Sequence, residues 1–348
     1  MSGLRNRLLV GDARRLLPKM PAASVDCVIT SPPYWALRNY DTDGQIGLEP
    51  TVDDWVNELR SVLRQVARVL KPSGSLWLNL GDTYSHHDRV GAPPKSLVLG
   101  PERLALAMLD DGWTIRNKVV WAKTNAMPIS VRDRLACKYE VLYFATRSRH
   151  YYFDLDAIRV PHTSNMKHGS EAAARRAAVA KRPAWAGPLA GSNRGLDALK
   201  ALGLTGHSLG KNPGDVWTYA TSNFRGAHHA TFPIDLITRP LLASCPEKVC
   251  ADCGEPWQRQ SEHPLAHTAV VGELQPECVC GTGSRPGVVL DPFMGAGTVG
   301  VAAEAHQRDW LGIEVNAEFA ALANKRIEHE RAKRSADRTD SEETPMAA

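Results

Sequence analysis

No apolar run in the 348-residue chain approaches the length of a bilayer span, and the opening MSGLRNRLLVGDARRLL carries no signal-peptide pattern. No membrane partner is therefore expected, and a cytoplasmic location is the expectation. The chain has seven cysteines, an odd number without a secretory signal, which argues against a disulfide framework. It has little net charge, +4, so the average points to no partner. No internal repeat is present.

The charge that exists is unevenly spread. From Arg159 to Asn212, nine Lys or Arg stand against only Glu171 and Asp197, a local excess of +7 in a chain of net +4. The remainder is slightly acidic. Such a stretch suits a polyanion, although a solvated insertion has the same composition.

Apolar periodicity gives an α/β pattern. Runs from Arg7 to Val10, Val25 to Thr30, Ser75 to Leu80, Ile115 to Trp121 and Tyr139 to Ala145 read as strands. Helical spacing fills Asp53 to Leu70, closed by Pro72 and Gly74, and Glu102 to Asp111. Residues from about 162 to 213 are rich in Gly, Ala, Ser and Arg, with one short helix expected near Glu171 to Ala180. Order returns at Asp215 to Trp217. Strands at Val288 to Leu290 and Asp309 to Glu314 then alternate with helices at Ile234 to Leu242, Thr298 to His306 and Ala317 to about Arg331. Strands separated by helices predict a mixed, mostly parallel sheet covered on both faces.

Two segments carry chemistry. Asp291-Pro292-Phe293-Met294-Gly295-Ala296-Gly297-Thr298 follows a strand and opens a helix, so its backbone can approach a ligand and its amides can donate. Gly295, Gly297 and Gly300, with Glu314 as a ribose-binding acid, also fit a dinucleotide fingerprint. A carboxylate at Asp291 favours the cationic amino group of a methionine moiety over a pyrophosphate, which it would repel.

The second segment, Ser31-Pro32-Pro33-Tyr34, directly follows a strand. Its prolines remove amide hydrogens and leave carbonyl oxygens as acceptors. An exocyclic amine can donate to Ser31 Oγ and the Pro32 carbonyl while its ring stacks on Tyr34. Acceptors that hold the amine hydrogens out of plane localise the nitrogen lone pair, and methyl transfer then needs no covalent intermediate. Trp35 can support the stack or belong to the core.

Together these motifs resemble the amino-group DNA methyltransferases in their permuted order, with the catalytic motif ahead of the cofactor motif. The resemblance covers roughly residues 5–160 and 213–330. It implies a Rossmann-like S-adenosylmethionine-dependent methyltransferase fold. It implies Ser31, Pro32, Pro33 and Tyr34 as catalytic, and Asp291, Pro292, Phe293, Gly295, Gly297 and Thr298 as the cofactor loop. Glu314 falls at the ribose-binding acid and Asp12 where the adenine amino group is met. Ala227 to Pro233 falls beside the methionine end of the cofactor. The partner implied is double-stranded DNA with a flipped base. A homodimer and a cognate restriction endonuclease are both compatible with it. Ser at the head of the tetrapeptide is similar to many cytosine-N4 enzymes, so N4-cytosine is favoured over N6-adenine.

On this reading residues 1–160 form the catalytic half and 161–212 a basic target-recognition insertion. Residues 213–331 form the cofactor half, with a cysteine insertion at 245–286, and 332–348 a disordered tail. Ser130, Arg132, Asp133 and Arg134 are candidates to hold phosphate or the flipped nucleotide.

Four cysteines cluster as Cys250-x2-Cys253 and Cys278-x-Cys280, 24 residues apart. Two close pairs of thiolates can close a tetrahedral zinc site, and Gly254 and Gly281 suit its turns. A structural zinc knuckle is expected, with no open position for catalysis; His263 or His267 could replace a ligand. Cys27, Cys137 and Cys245 read as small buried residues.

Three rivals differ in what they leave unexplained. A nicotinamide oxidoreductase gives Ser31 to Tyr34 no role. A non-catalytic DNA-binding protein needs no complete cofactor loop. A methyltransferase acting on RNA or protein is opposed by the basic insertion and by the match to DNA enzymes.

Overall fold

The computed structural model describes residues 5–40, 42, 44–162, 209–222, 232–259 and 273–342, with side chains to residue 336. Almost all of the basic insertion, most of the 227–233 stretch, and His263 and His267 lie outside the described residues.

Among the described residues, eight strands form one sheet. They are β1 (Arg7–Val10), β2 (Val25–Thr30), β3 (Leu70–Leu80), β4 (Thr114–Lys123), β5 (Tyr139–Thr146), β6 (Val216–Tyr219), β11 (Val288–Asp291) and β12 (Asp309–Glu314). Their order is β1-β12-β11-β2-β3-β5-β4-β6. Every neighbouring pair is parallel except the two that β5 makes, with β3 and with β4. Four two-residue strands, β7 (Val249–Cys250), β8 (Gln258–Arg259), β9 (Leu274–Gln275) and β10 (Ser284–Arg285), pair as two small ribbons.

Side chains that alternate along a strand feed two cores. Leu76, Leu78 and Leu80 of β3 and Val141 and Tyr143 of β5 pack toward α2 (Val52–Val69) and α3 (Gly100–Asp110). Trp77, Leu142 and Phe144 face the other way. They join Leu236 of α4 (Ile234–Ser244), Val299 of α5 (Thr298–Ala305) and Ile327 of α6 (Ala317–Glu342). Trp77 and Phe144 stack there with centroids 4.4 Å apart. Helix α2 begins where Thr51 caps the Asp54 amide, and it buries Trp55, Leu59, Val62, Leu63 and Val66 at helical spacing.

Three expectations change. The stretch Leu70 to Gly74 does not merely close α2, because β3 starts at Leu70 and carries Pro72 and Gly74 within it. A Cβ at Gly74 would lie 2.8 Å from the Asp26 carbonyl, so glycine permits this close strand approach. Helix α6 continues past Arg331 to Glu342, into the segment expected to be disordered. That stretch holds two Ala and two Arg, and no glycine or proline interrupts it before Pro345. Cys137 is exposed, whereas Cys27 and Cys245 are buried. It sits in the loop before β5 and not in the strand's apolar run. No helix among the described residues is long and apolar enough to cross a membrane.

Candidate active site

β11 and β2 are neighbours, but their chain continuations diverge: β11 leads by α5 to β12 on one side, β2 by α2 to β3 on the other. A crevice opens at the carboxyl ends of strands wherever order reverses in this way. The cavity there measures about 510 Å³. Asp12, Ser31, Pro32, Pro33, Tyr34, Asp291, Pro292, Phe293, Gly295, Thr298 and Glu314 all reach its wall. Gly297 does not.

Asp291 closes β11 and is 2 % exposed. It accepts from Thr30 Oγ1 at 2.6 Å and from the Phe293 amide at 3.0 Å. No cation faces it among its described partners. Burial therefore dominates and pushes its carboxyl up to about 7, with the neighbouring Glu314 charge adding to the rise. Glu314 closes β12. It accepts from the Gly295 amide at 2.7 Å and the Asn316 amide at 2.8 Å, one on each carboxylate oxygen. Burial raises its carboxyl above the ordinary range against these amide bonds.

Gly297 packs against a neighbouring helix. Its φ is +81°, and a Cβ there would sit 2.8 Å from that of Ala323 in α6. The glycine lets α5 start against α6. Asp12 caps α1 (Ala13–Leu16) through the Arg14 amide at 2.8 Å and pairs with the Arg14 guanidinium. Burial would raise its carboxyl, but Arg14 holds it below its ordinary value.

The tetrapeptide after β2 is fixed from several sides. Trp55 Nε1 donates to the Pro33 carbonyl at 2.9 Å. Trp35 is buried core, with its Nε1 on the Glu49 carbonyl at 2.9 Å. The Tyr34 ring lies against Gly81, where a Cβ would come within 2.8 Å of it. Tyr34 Oη donates to Glu140 Oε2 at 2.7 Å and accepts from Asn79 Nδ2 at 2.6 Å. Lys123 pairs with the other oxygen of Glu140.

Asn79, Lys123 and Glu140 all line the cavity, and motif reading missed them. Two signals were available: Asn79 is a polar break in the apolar run of β3, and Glu140 directly precedes that of β5. Phe232, the one cavity-lining residue of the 227–233 stretch within the described residues, lies on the wall with Tyr40, Asn316 and Phe319. Ser130, Arg132, Asp133 and Arg134 stay on the outer loop, where Asp133 pairs with Lys95 and Arg134 lies 3.7 Å over the Tyr84 ring.

Solved structures assign the class. PvuII DNA methyltransferase, described as cytosine-N4-specific, matches with a TM-score of 0.55 over 92% of this chain and 85% of its own, at 17% identity. TTHA0409 of Thermus thermophilus, complexed with S-adenosyl-L-methionine, matches with a TM-score of 0.51 over 93% and 95%, at 22% identity. The architecture is a methyltransferase fold. Sequence assigns the family: the chain belongs to the N6/N4 DNA methylases, whose profile matches residues 25–325. The type II methyltransferase M.Cfr9I of Citrobacter freundii is 32% identical to it over 345 residues, 93% of this chain and 88% of the relative. The protein is a DNA methyltransferase.

Proposed function

We propose that the protein transfers a methyl group from S-adenosylmethionine to an exocyclic amine of a base flipped out of double-stranded DNA, with cytosine N4 as the target. One observation carries the reading: Asp291 and Ser31 open into the same cavity from adjacent strands, although 260 residues separate them in sequence.

The cavity fits the cofactor. Asp291 is a buried carboxylate without a cation, which the ammonium of a methionine moiety would compensate. Glu314 uses one lone pair of each oxygen on amides and has others left for ribose hydroxyls. Tyr40 and Phe319, edge to face at 6.1 Å on the wall, give an aromatic corner for a purine. Asp12, pinned by Arg14, stands ready to accept from an adenine amine. When bound, the cofactor supplies an electrophilic methyl on a sulfonium. The solved TTHA0409 complex holds this same molecule.

For the substrate, Ser31 Oγ and the Pro32 carbonyl accept the amine hydrogens and Tyr34 bounds the base. The nitrogen lone pair, freed from the ring, faces the methyl. Ser at the head of the motif, with the fold-level likeness to a cytosine-N4-specific enzyme, supports cytosine over adenine. The basic segment 161–212 would carry target recognition, and the type II relatives make a cognate restriction endonuclease a natural partner of this enzyme in the cytoplasm.

A second metal-binding reading has its own observation. The sulfurs of Cys250, Cys253, Cys278 and Cys280 lie within 4.8 Å of one another. Four converging thiols are the donor set of a closed structural zinc site. The turns after each pair, at Gly254 and Gly281, have φ of +75° and +66°, as a knuckle requires. Lys71 Nζ bridges the Gly254 carbonyl at 3.0 Å to Asp26 at 2.5 Å, and Asp26 also accepts from the Val288 amide. The knuckle therefore docks at the amino ends of β2, β3 and β11, opposite the cavity, in a stapling role.

The test of function is nucleoside analysis of DNA incubated with the protein and S-adenosylmethionine. Preferential binding of NADH over S-adenosylmethionine would refute the reading before any product is sought.

A further inference from the structure

The polar side chains behind Ser31 form a directed chain of donors for which methyl transfer to an amine has a use. Ser31 Oγ donates to Tyr34 Oη at 3.2 Å, and Tyr34 Oη donates to Glu140 Oε2 at 2.7 Å. Asn79 Nδ2 braces the second link, donating to Tyr34 Oη at 2.6 Å and to Glu140 Oε2 at 2.8 Å. With its proton aimed at Tyr34 and one lone pair facing Asn79 Nδ2 at 3.4 Å, Ser31 Oγ keeps the other for a donor in the cavity. The phenol stays protonated, because burial and then the Glu140 charge push its ionisation well above the ordinary range. A neutral hydroxyl can accept one proton and pass on another. The chain ends on a carboxylate that also pairs with Lys123.

We infer that Ser31, Tyr34 and Glu140 form a proton relay for the target amine, with Glu140 as terminal acceptor and Asn79 as a positioning residue. The inference rests on the amino-methylation reading above. As the amine nitrogen forms its N–C bond, the donor's S–C bond breaks with the electron pair left on sulfur. The nitrogen is then cationic and has an N–H to lose. That proton moves to Ser31 Oγ while the Ser31 proton moves to Tyr34 Oη and the Tyr34 proton to Glu140 Oε2. The N–H electron pair stays on nitrogen, which ends neutral. Ser31 and Tyr34 end as they began, and Glu140 ends as a carboxylic acid. Water takes that proton once the methylated base leaves. A protonated base amine is a far stronger acid than a carboxylic acid, so the transfer runs downhill. Removing the proton as the N–C bond forms lowers the barrier to that bond.

A purely stacking Tyr34 would not need its hydroxyl. Tyr34→Phe keeps the ring and cuts the relay, and Glu140→Gln keeps an acceptor for Tyr34 but cannot take its proton. Both variants and their double are to be assayed for methyl incorporation into unmethylated genomic DNA. KM for DNA, the dissociation constant of S-adenosylmethionine and the thermal midpoint are measured alongside. The relay predicts kcat down about tenfold or more in each single variant. It predicts no further loss in the double variant, since one broken link disables the whole chain. KM and cofactor binding stay near wild type, which a loss of site structure would not allow. Tyr34→Phe within about twofold of wild type overturns the relay, and so do losses that multiply in the double variant. Tyr34→Phe removes a single oxygen, so it decides the matter even if Glu140→Gln fails to fold. Wild-type protein that methylates no base amine overturns the function reading and the relay with it. That outcome is distinct from an active wild type with an equally active Tyr34→Phe.

Discussion

Thr30 Oγ1 donates to Asp291 Oδ1 across 2.6 Å, joining the last residue of β2 to the last residue of β11. One hydrogen bond thus couples the strand that delivers Ser31 to the strand that delivers Asp291. The coupling is buried, so it acts in a low dielectric where its strength is not diluted by water. A shift of one strand end is thus transmitted to the other.

On the proposed function, Asp291 should make binding of S-adenosylmethionine pH-dependent. Its carboxyl is pushed up to about 7 in the cofactor-free protein, while the ligand ammonium requires the ionised form. Affinity for S-adenosylmethionine should weaken by up to about tenfold per unit as pH falls below about 7. The dependence should vanish in Asp291→Asn, whose affinity is low throughout. Titration calorimetry from pH 5.5 to pH 8 checks both. The same group makes the cofactor-free fold bind its proton more tightly than the unfolded chain. Its stabilising contribution is full below about 4 and is lost as pH rises through about 7.

Gly297→Ala should destabilise the protein without removing a ligand contact. The new methyl would meet Ala323 at 2.8 Å from a backbone with φ of +81°. A cost of about 1–3 kcal/mol follows from overpacking of this kind. Denaturant unfolding measures the loss, and the folded fraction should bind S-adenosylmethionine within a few-fold of wild type. Abolished binding in protein that remains folded would return Gly297 to the cofactor site.

These two positions show how far the sequence could be read. The bounds of β1, β2 and β12 followed directly from short apolar runs, and in β2 and β12 near-continuous burial writes itself into sequence. Asp291 and Glu314 were legible because each is the charged last residue of an apolar strand, and Ser31 because it directly follows β2 and opens a Pro-Pro turn. Gly297 carries a further constraint from Ala323 in another helix, which no local pattern reveals. Glu140 and Asn79 were missed for a similar reason: their meaning arises only when β3 and β5 pair antiparallel and bring them to Tyr34. Cys137 looked apolar by its neighbours Leu135 and Ala136, yet the loop leaves it exposed.

The cysteine knuckle should hold one zinc per chain by elemental analysis. Cys278→Ser should lose the metal and lower the thermal midpoint by several degrees, because the knuckle anchors through Lys71 to the buried Asp26. Cofactor affinity should stay near wild type, since the cavity lies at the other end of the strands. Metal-free protein of full stability would refute the structural role.

The most direct measurement is mass spectrometry of nucleosides from mixed-sequence duplex DNA, incubated with purified protein and S-adenosylmethionine. The account predicts N4-methylcytosine. N6-methyladenine would contradict the choice of base, and the absence of any methylated base amine would contradict the amino-methylation account itself.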